Sequence, residues 1–224
     1  MILVFGKTGQ VATELQYLDD VLALGRDQAD LSNSIACAQS IRTLAPSAVI
    51  NAAAYTAVDN AEEDEEFATI VNGDSLSPIA QTCAELQIPL VQISTDFVFN
   101  GSGQEAWKPS DVTEPRNAYG RSKLAGEISV SNSGAVYAIL RTSWVVSVNG
   151  SNFVKTMLRL SETQDTLSVV ADQIGGPTPA RDIARACVMI ARQLKENPSK
   201  SGTYHYSGAP NVSWAEFASE IFAQ

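Results

Sequence analysis

The sequence predicts an α/β fold in which a doubly wound parallel sheet carries helices on both faces. Three observations predict it. Short, continuous apolar runs (Ile2-Leu3-Val4-Phe5, Ala48-Val49-Ile50 and Leu90-Val91-Gln92-Ile93) read as strands buried on both faces. Helix-length segments separate these runs, the alternation that builds a parallel sheet. The first run enters a glycine turn, Gly6-Lys7-Thr8-Gly9-Gln10-Val11-Ala12, and then a helix, which is the Rossmann-like context of a dinucleotide site. We expect residues 1–145 to form the dinucleotide-binding domain. Residues 146–224 are expected to complete the sheet and to begin a small substrate lobe, truncated at its C-terminus.

The chain has 224 residues, 45% hydrophobic and 18% charged, which suits one globular unit with a sizeable core. Its net charge of −10 argues against a nucleic-acid polymer or a membrane surface as partner. Cys37, Cys83 and Cys187 stand in no metal-ligand spacing and read as buried thiols of a reducing compartment. The apolar start Met1–Phe5 is too short for a signal-peptide core, and no apolar run could span a bilayer. A soluble cytoplasmic protein is the expectation. A single histidine, His205, speaks against a histidine-based triad or a multi-histidine metal site.

In the first turn, Gly6 permits the tight bend. Gly9 lets backbone amides approach a pyrophosphate at the N-terminus of a helix that runs through Leu15 and Leu18. Ala12 allows close helix–strand packing. Val21–Leu24 is a second strand, ending in Gly25-Arg26. With no acid at Gly25, Arg26 can pair with a 2′-phosphate, which leans to NADP(H). A solvated loop residue is the other reading of Arg26. Asp30 suits either an adenine amino group or a helix N-cap. A helix over 35–44 follows, closed by Pro46. The three alanines Ala52, Ala53 and Ala54 leave room for a flat ligand, or pack tightly as core. The acidic run Asp59–Glu66 reads as a helix start with a solvated face. Asn72 suits a water-mediated contact with a tyrosine–lysine pair further on, or a helix terminus. A helix over 77–86 leads to the strand that ends at Ile93-Ser94-Thr95-Asp96-Phe97, where a threonine hydroxyl can donate to a substrate carbonyl. Gly101–Pro115 reads as a loop over the site.

Tyr119 and Lys123 stand four residues apart at the start of a helix expected to reach Ser131. That spacing puts both on one face. An ammonium beside a phenol favours its anion, so the pair is expected to exchange a proton close to neutral pH. Beyond it we expect a strand over 137–140, a helix over 151–160 and a strand over 166–170. Thr178 is expected to cap a helix with Pro179 in its first turn, and a strand follows over 202–206. The last helix opens with a Ser213/Glu216 capping box and carries an apolar stripe, Trp214, Phe217, Ala218, Ile221 and Phe222, expected to be core.

With Gly6–Ala12, Asn51–Ala54, Ser94-Thr95-Asp96 and Tyr119…Lys123 in this order, the chain resembles the extended short-chain dehydrogenase/reductases. Phe5–Val11, Asn51–Asp59, Arg141–Trp144 and Asp172–Thr178 are similar to the dTDP-4-dehydrorhamnose reductase family within it, and the likeness spans essentially the whole chain. The resemblance implies reduction of the 4-keto group of dTDP-4-dehydro-L-rhamnose by NAD(P)H. That is the last step of dTDP-L-rhamnose synthesis, which feeds cell-surface polysaccharide. Tyr119 would be the proton donor, Lys123 would bond the nicotinamide ribose and lower the pKa of Tyr119, and Thr95 would bond the keto oxygen. Gly9, Gln10 and Val11 would hold the pyrophosphate, Asp30 and Leu31 would flank the adenine, and Ala52, Ala53, Ala54 and Ile93 would line the cofactor. Asp96, Phe97 and Trp144 would contact the nucleotide-sugar.

Three departures from the family pattern stand out. Ala12 replaces its third glycine. Gly25 stands where relatives often carry an acid, which leaves NADPH and NADH both open. Family members run roughly a third longer. Some relatives hold magnesium between glutamates at a homodimer interface; Glu14 is available here, but Arg181 stands where a second acid would be wanted, so no metal is assigned and a homodimer stays an open expectation. A dehydratase or epimerase of the same fold is the nearest rival, but Phe97 occupies the position of a dehydratase's second carboxylate. A non-catalytic NADP-binding subunit is the rival from another class. Retention of Thr95, Tyr119 and Lys123 favours an enzyme.

Overall fold

A computed structural model describes residues 1–224. In chain order the elements are β1 (Ile2–Phe5), α1 (Gln10–Leu15), β2 (Val21–Leu24), α2 (Ser34–Leu44), β3 (Ala48–Asn51), α3 (Val58–Ala61), α4 (Glu65–Thr69), α5 (Leu76–Glu85), β4 (Leu90–Thr95), α6 (Ala118–Ser131) and β5 (Tyr137–Thr142). Then come β6 (Val145–Val146), α7 (Phe153–Ser161), β7 (Ile174–Gly175), β8 (Thr178–Pro179), α8 (Ala180–Glu196), β9 (Gly202–His205), β10 (Val212–Ser213) and α9 (Trp214–Ala223). A π-helical turn, Ile70–Asp74, joins α4 to α5.

Six strands form one parallel sheet in the order β2-β1-β3-β4-β5-β9. Side chains alternate across it, so each apolar run feeds two cores. Ile2 and Val4, with Ile50, Val91 and Leu140, meet α1 and α8 through Leu15, Ile183 and Cys187. Leu3 and Phe5, with Val49, Leu90 and Ile139, meet α2, α5 and α6 through Ile41, Ile79 and Val130. Burying each such side chain is worth about 1.5–3 kcal/mol, which explains why runs as short as four residues hold their place. The strand order reverses between β1 and β3. In open α/β sheets ligands bind at such a reversal, beyond the carboxyl ends of the strands. All three cysteines are buried free thiols. No helix is long and apolar enough to cross a membrane.

Several local expectations are corrected. Residues 166–170 form no strand; the Val170 carbonyl accepts from Ala215 N at 3.0 Å instead of joining a ladder. Helix α8 starts at Ala180, with Pro179 at its N-cap. Thr178 belongs to β8, where its buried hydroxyl donates to the Gly176 carbonyl (2.8 Å) and accepts from Gly208 N (3.0 Å), so it is not free to cap. Helix α1 ends at Leu15, before Leu18. Asn33, not Asp30, caps α2.

The capping box of α9 forms, but its apolar stripe is only partly covered. Phe222 is 46% exposed, because α9 packs on α7 and on the Trp144 turn rather than on the sheet. The acidic run is not simply a solvated face. Glu62 accepts from the first amide of α6, at Ala118, across 2.7 Å, and Glu65 grips Arg121 at 2.6 and 2.8 Å.

Candidate active site

The two glycines of the first turn meet different demands. Gly6 has φ +103°, and a Cβ there would lie 3.1 Å from the backbone of Ala52 and Ala53. Only glycine fits. Gly9 has φ −68°, allowed to any residue, and no atom lies within 4 Å of where its Cβ would stand. It is the N-cap of α1, and no side chain caps that helix. The first-turn amides of α1 therefore face open space, which fits a diphosphate. Val11 and Ala12 are buried and seat α1 on the sheet. Gln10 turns its side chain elsewhere: its amide oxygen accepts from Asn152 (2.9 Å) and its nitrogen donates to the Val145 carbonyl (3.4 Å). At that position only the backbone faces the turn.

At the end of β2, Arg26 Nε donates to Asp30 at 2.9 Å, and Asp30 also accepts from Ser32 N. Arg26, whose side chain is 74% exposed, holds the Asp30 carboxyl below the usual carboxylate range. Leu31 is buried in the core beneath β1 and β2. Sequence reasoning missed two neighbours of Gly25. A Cβ at Gly25 would lie 2.6 Å from an Asp27 carboxylate oxygen and 3.5 Å from the Lys7 side chain. An acid does stand at this strand end, two residues later than expected, and the aliphatic stem of Lys7 runs beside Gly25.

Beyond β3, half-buried Ala52, Ala53 and Ala54 follow the buried pair Asn51–Gln92, joined at 2.9 Å. Ala53 N also donates to Asn51 Oδ1, at 3.2 Å. Beyond β4, the Thr95 hydroxyl donates to Asp96 (3.1 Å) and accepts from Phe97 N (3.2 Å). Phe97, 42% exposed, packs edge-on against Tyr119 with ring centroids 5.7 Å apart. Close packing makes this junction possible: a Cβ at Gly120 would lie 2.2 Å from the Phe97 carbonyl oxygen. Thr95, Asp96, Phe97 and Tyr119 thus gather at one place. Lys123, 4% exposed, donates from Nζ to the Ile93 carbonyl across 2.8 Å.

The electrostatics of Tyr119 run against expectation. Burial pushes its phenol up to about 12; the Thr95 hydroxyl opposes the shift and the Asp96 carboxylate adds to it. The ammonium of Lys123 does not drive it down. That amine is committed to the Ile93 carbonyl, and burial lowers its own pKa to about 8 against the pull of Glu127. Desolvation raises the Asp96 carboxyl as well. In this state Tyr119 is a neutral phenol throughout the physiological range, which is the form that can give a proton.

Trp144 joins a separate cluster, stacked on Trp214 at 3.4 Å beside Phe153 and Phe217, with its backbone in the left-handed region at φ +50°. Asn72 is spent inside the π-helical turn. It clamps both backbone groups of Tyr55 (2.8 and 3.0 Å) and donates to Ser122 (2.9 Å), so it holds α6 rather than the tyrosine–lysine pair. Glu14 accepts from Ser147 and Asn149, and no cluster of three or more histidine, cysteine or acidic side chains suited to a metal exists.

A buried network under the site also escaped sequence reasoning. Glu127 pairs with Arg141 at 2.7 and 3.0 Å and accepts from Ser94 at 2.6 Å. Arg141 lies 4.9 Å over the Phe99 ring and donates to the Pro109 carbonyl (3.3 Å), while Trp107 stacks on Phe99. The loop 101–115 is thereby pinned to the sheet. The Lys123/Glu127 spacing of four was the one available signal.

Comparison with known proteins agrees with this geometry. The family model described as RmlD substrate binding domain matches residues 1–224. A dTDP-4-dehydrorhamnose reductase of Sinorhizobium fredii is 44% identical over 99% of this chain and 77% of its own length, and one of Salmonella typhimurium is 40% identical with the same coverage. The crystal structure of dTDP-4-dehydrorhamnose reductase from Bacillus anthracis in complex with NADP superposes with a TM-score of 0.91 at 38% identity, over 99% of this chain and 80% of that one. The chain belongs to the dTDP-4-dehydrorhamnose reductase family.

Proposed function

We propose that this protein reduces the 4-keto group of dTDP-4-dehydro-L-rhamnose to give dTDP-L-rhamnose, with NADPH as reductant and NADH as the second choice. The observation that carries this reading is the gathering of Thr95 and neutral Tyr119 beyond β4, with Lys123 one helical turn below. The names of the relatives and the NADP complex of the Bacillus anthracis structure support the substrate and the cofactor. Bound NADPH supplies the hydride that reaches the carbonyl carbon. The residues of the chain do the rest. The phenol of Tyr119 gives its proton to the carbonyl oxygen, completing the alcohol. The Thr95 hydroxyl turns from Asp96 and donates to the same oxygen as charge develops there. The ammonium of Lys123 has further N–H donors beside its bond to the Ile93 carbonyl, and one of them would bond the nicotinamide ribose.

Gly6, Gly9, Gln10 and Val11 receive the diphosphate through the backbone, and Ala52, Ala53, Ala54 and Ile93 line the cofactor. Arg26, with Lys7 beside it, suits a 2′-phosphate, whereas Asp27 suits the free hydroxyl of NADH. Asp30 and Leu31 are assigned to the adenine end, and Asp96, Phe97 and Trp144 to the nucleotide-sugar. We further assign residues 1–145 to the cofactor and 146–224 to sheet completion and the start of the substrate lobe. The assignment includes a cytoplasmic location and a homodimer, with no nucleic-acid or membrane partner.

The test is the loss of NADPH absorbance when the protein meets dTDP-4-dehydro-L-rhamnose, with the product identified as the 4-hydroxy sugar. A rearranged sugar without net NADPH consumption would point to an epimerase. Binding of NADPH with no turnover would support the regulatory-subunit reading.

A further inference from the structure

One buried carboxylate joins the two elements that carry the three groups of the proposed reaction. Glu127 lies one turn after Lys123 on α6, and its side chain is 5% exposed. Its Oε1 accepts from Ser94 Oγ at 2.6 Å and from Arg141 Nε at 3.0 Å, while Oε2 accepts from Arg141 Nη2 at 2.7 Å. Ser94 sits between Ile93, whose carbonyl takes the Lys123 ammonium, and Thr95, whose hydroxyl adjoins Tyr119. Arg141 stands opposite Ser94 in the β4–β5 register. Helix α6, which brings Tyr119 and Lys123, and the end of β4, which brings Thr95, therefore meet at Ser94–Glu127.

We propose that Ser94 and Glu127 are positioning residues of the reductase, fixing the distance between Thr95 on β4 and the Tyr119/Lys123 face of α6. This rests on the functional reading above. The chemistry is a matter of alignment. Two hydroxyls must converge on one carbonyl oxygen from two different elements. Lys123 ties α6 to the Ile93 carbonyl and Glu127 ties it to Ser94, and only the second of these bonds is made by groups that take no part in the proposed reaction. An error of about 1 Å in such an alignment costs on the order of 100-fold in rate. A hydroxyl-to-carboxylate bond of 2.6 Å is short and charge-assisted, which suits a fixed spacer. The field of Glu127 also favours the charged form of Lys123, in the direction the proposed role of that ammonium needs.

The obvious variant, Glu127→Gln, leaves Arg141 buried without its counter-charge and endangers the fold. The deciding variant is Ser94→Ala. It removes one bond and leaves both Arg141–Glu127 contacts in place. Turnover of the keto-sugar, NADPH affinity and thermal midpoint are measured beside the wild-type protein. The expected result is a kcat lowered about tenfold, with the Kd for NADPH within about twofold and the thermal midpoint nearly unchanged. A kcat within about twofold of wild type overturns the proposal, as does a parallel loss of NADPH binding and kcat, which marks a merely structural role. If the wild-type protein itself does not turn over the keto-sugar, the functional reading falls and this inference with it. An active wild type with an equally active Ser94→Ala removes this inference alone.

Discussion

Arg26 Nε donates to Asp30 Oδ2 across 2.9 Å on the exposed turn after β2. The two residues that sequence reasoning assigned to separate parts of the cofactor bind each other. An exposed pair of this kind is worth about 0–1 kcal/mol, so an arriving 2′-phosphate can recruit Arg26 at little cost. An Arg–phosphate contact is worth more, roughly 1.5–3 kcal/mol. Arg26→Ala is therefore expected to raise the Kd for NADPH about tenfold and to leave that for NADH within about twofold, read by fluorescence titration of both. Equal weakening of the two would remove Arg26 from cofactor choice.

Gly9 offers a cleaner separation of folding from binding. Its φ of −68° imposes no demand for glycine, and nothing lies within 4 Å of the missing Cβ. Gly9→Val should keep the thermal midpoint within a few degrees, while its branched side chain fills the space in front of the α1 amides. The Kd for NADPH is expected to rise at least about tenfold through loss of amide–phosphate bonds. Unchanged affinity would mean that the diphosphate does not sit there.

The parts of the fold legible in the sequence were those fixed by local pattern. Ile2–Phe5 and Ala48–Ile50 are apolar throughout and Leu90–Ile93 is apolar but for the buried Gln92, and no partner is needed to recognise such runs as buried strands. The tight bend at Gly6, at φ +103°, likewise follows from a turn between a strand and a helix. What could not be read depends on which elements become neighbours. Glu127 and Arg141 look like surface charges until β5 is laid beside β4 and α6 above both. Asn72 looked free because nothing local announces a π-helical turn, and its amide is consumed by Tyr55 and Ser122, the latter fifty residues away. The Thr166–Val170 segment has strand propensity, but no strand pairs with it. The Tyr119–Lys123 spacing was legible, whereas the sign of the tyrosine's shift was not, since burial is set by the whole packed site.

Tyr119→Phe removes the phenolic proton and keeps the ring that packs against Phe97. The expected loss in kcat is on the order of 100- to 10,000-fold, the usual range for a positioned proton donor, with NADPH affinity within about twofold. Steady-state turnover together with cofactor titration measures both. Retention of most activity would remove Tyr119 from the proton transfer.

Cofactor binding should report the state of Lys123. Its pKa in the free protein is about 8, so the ammonium is charged below that pH and neutral above it. If the charged form bonds the ribose, the Kd for NADPH is flat at lower pH and rises above about 8, approaching tenfold per pH unit. Tyr119, held at about 12, contributes no limb in this range. Affinity that stays constant to pH 9.5 would contradict the proposed role of the ammonium.

Holding Lys123 in that position costs stability, and the sign can be worked out. A depressed lysine pKa means that the folded state releases the proton more readily than the unfolded one. The penalty is thus full below about pH 8 and is relieved as pH rises toward 10.5. The fall from 10.5 to about 8 corresponds to roughly 3 kcal/mol at neutral pH. Lys123→Met removes the desolvated charge while keeping much of the volume, and it gives up one hydrogen bond to the Ile93 carbonyl, worth about 1 kcal/mol. Glu127 keeps Arg141 as its counter-charge, so no new unpaired ion is left behind. The variant is expected to be about 2 kcal/mol more stable at pH 7, raising the thermal midpoint by roughly 5 °C, and to be inactive. The gain should shrink between pH 8 and 10, as the wild-type lysine sheds its proton. A Lys123→Met protein that melts below wild type at pH 7 would show that the Ile93 bond outweighs the cost of burying the charge.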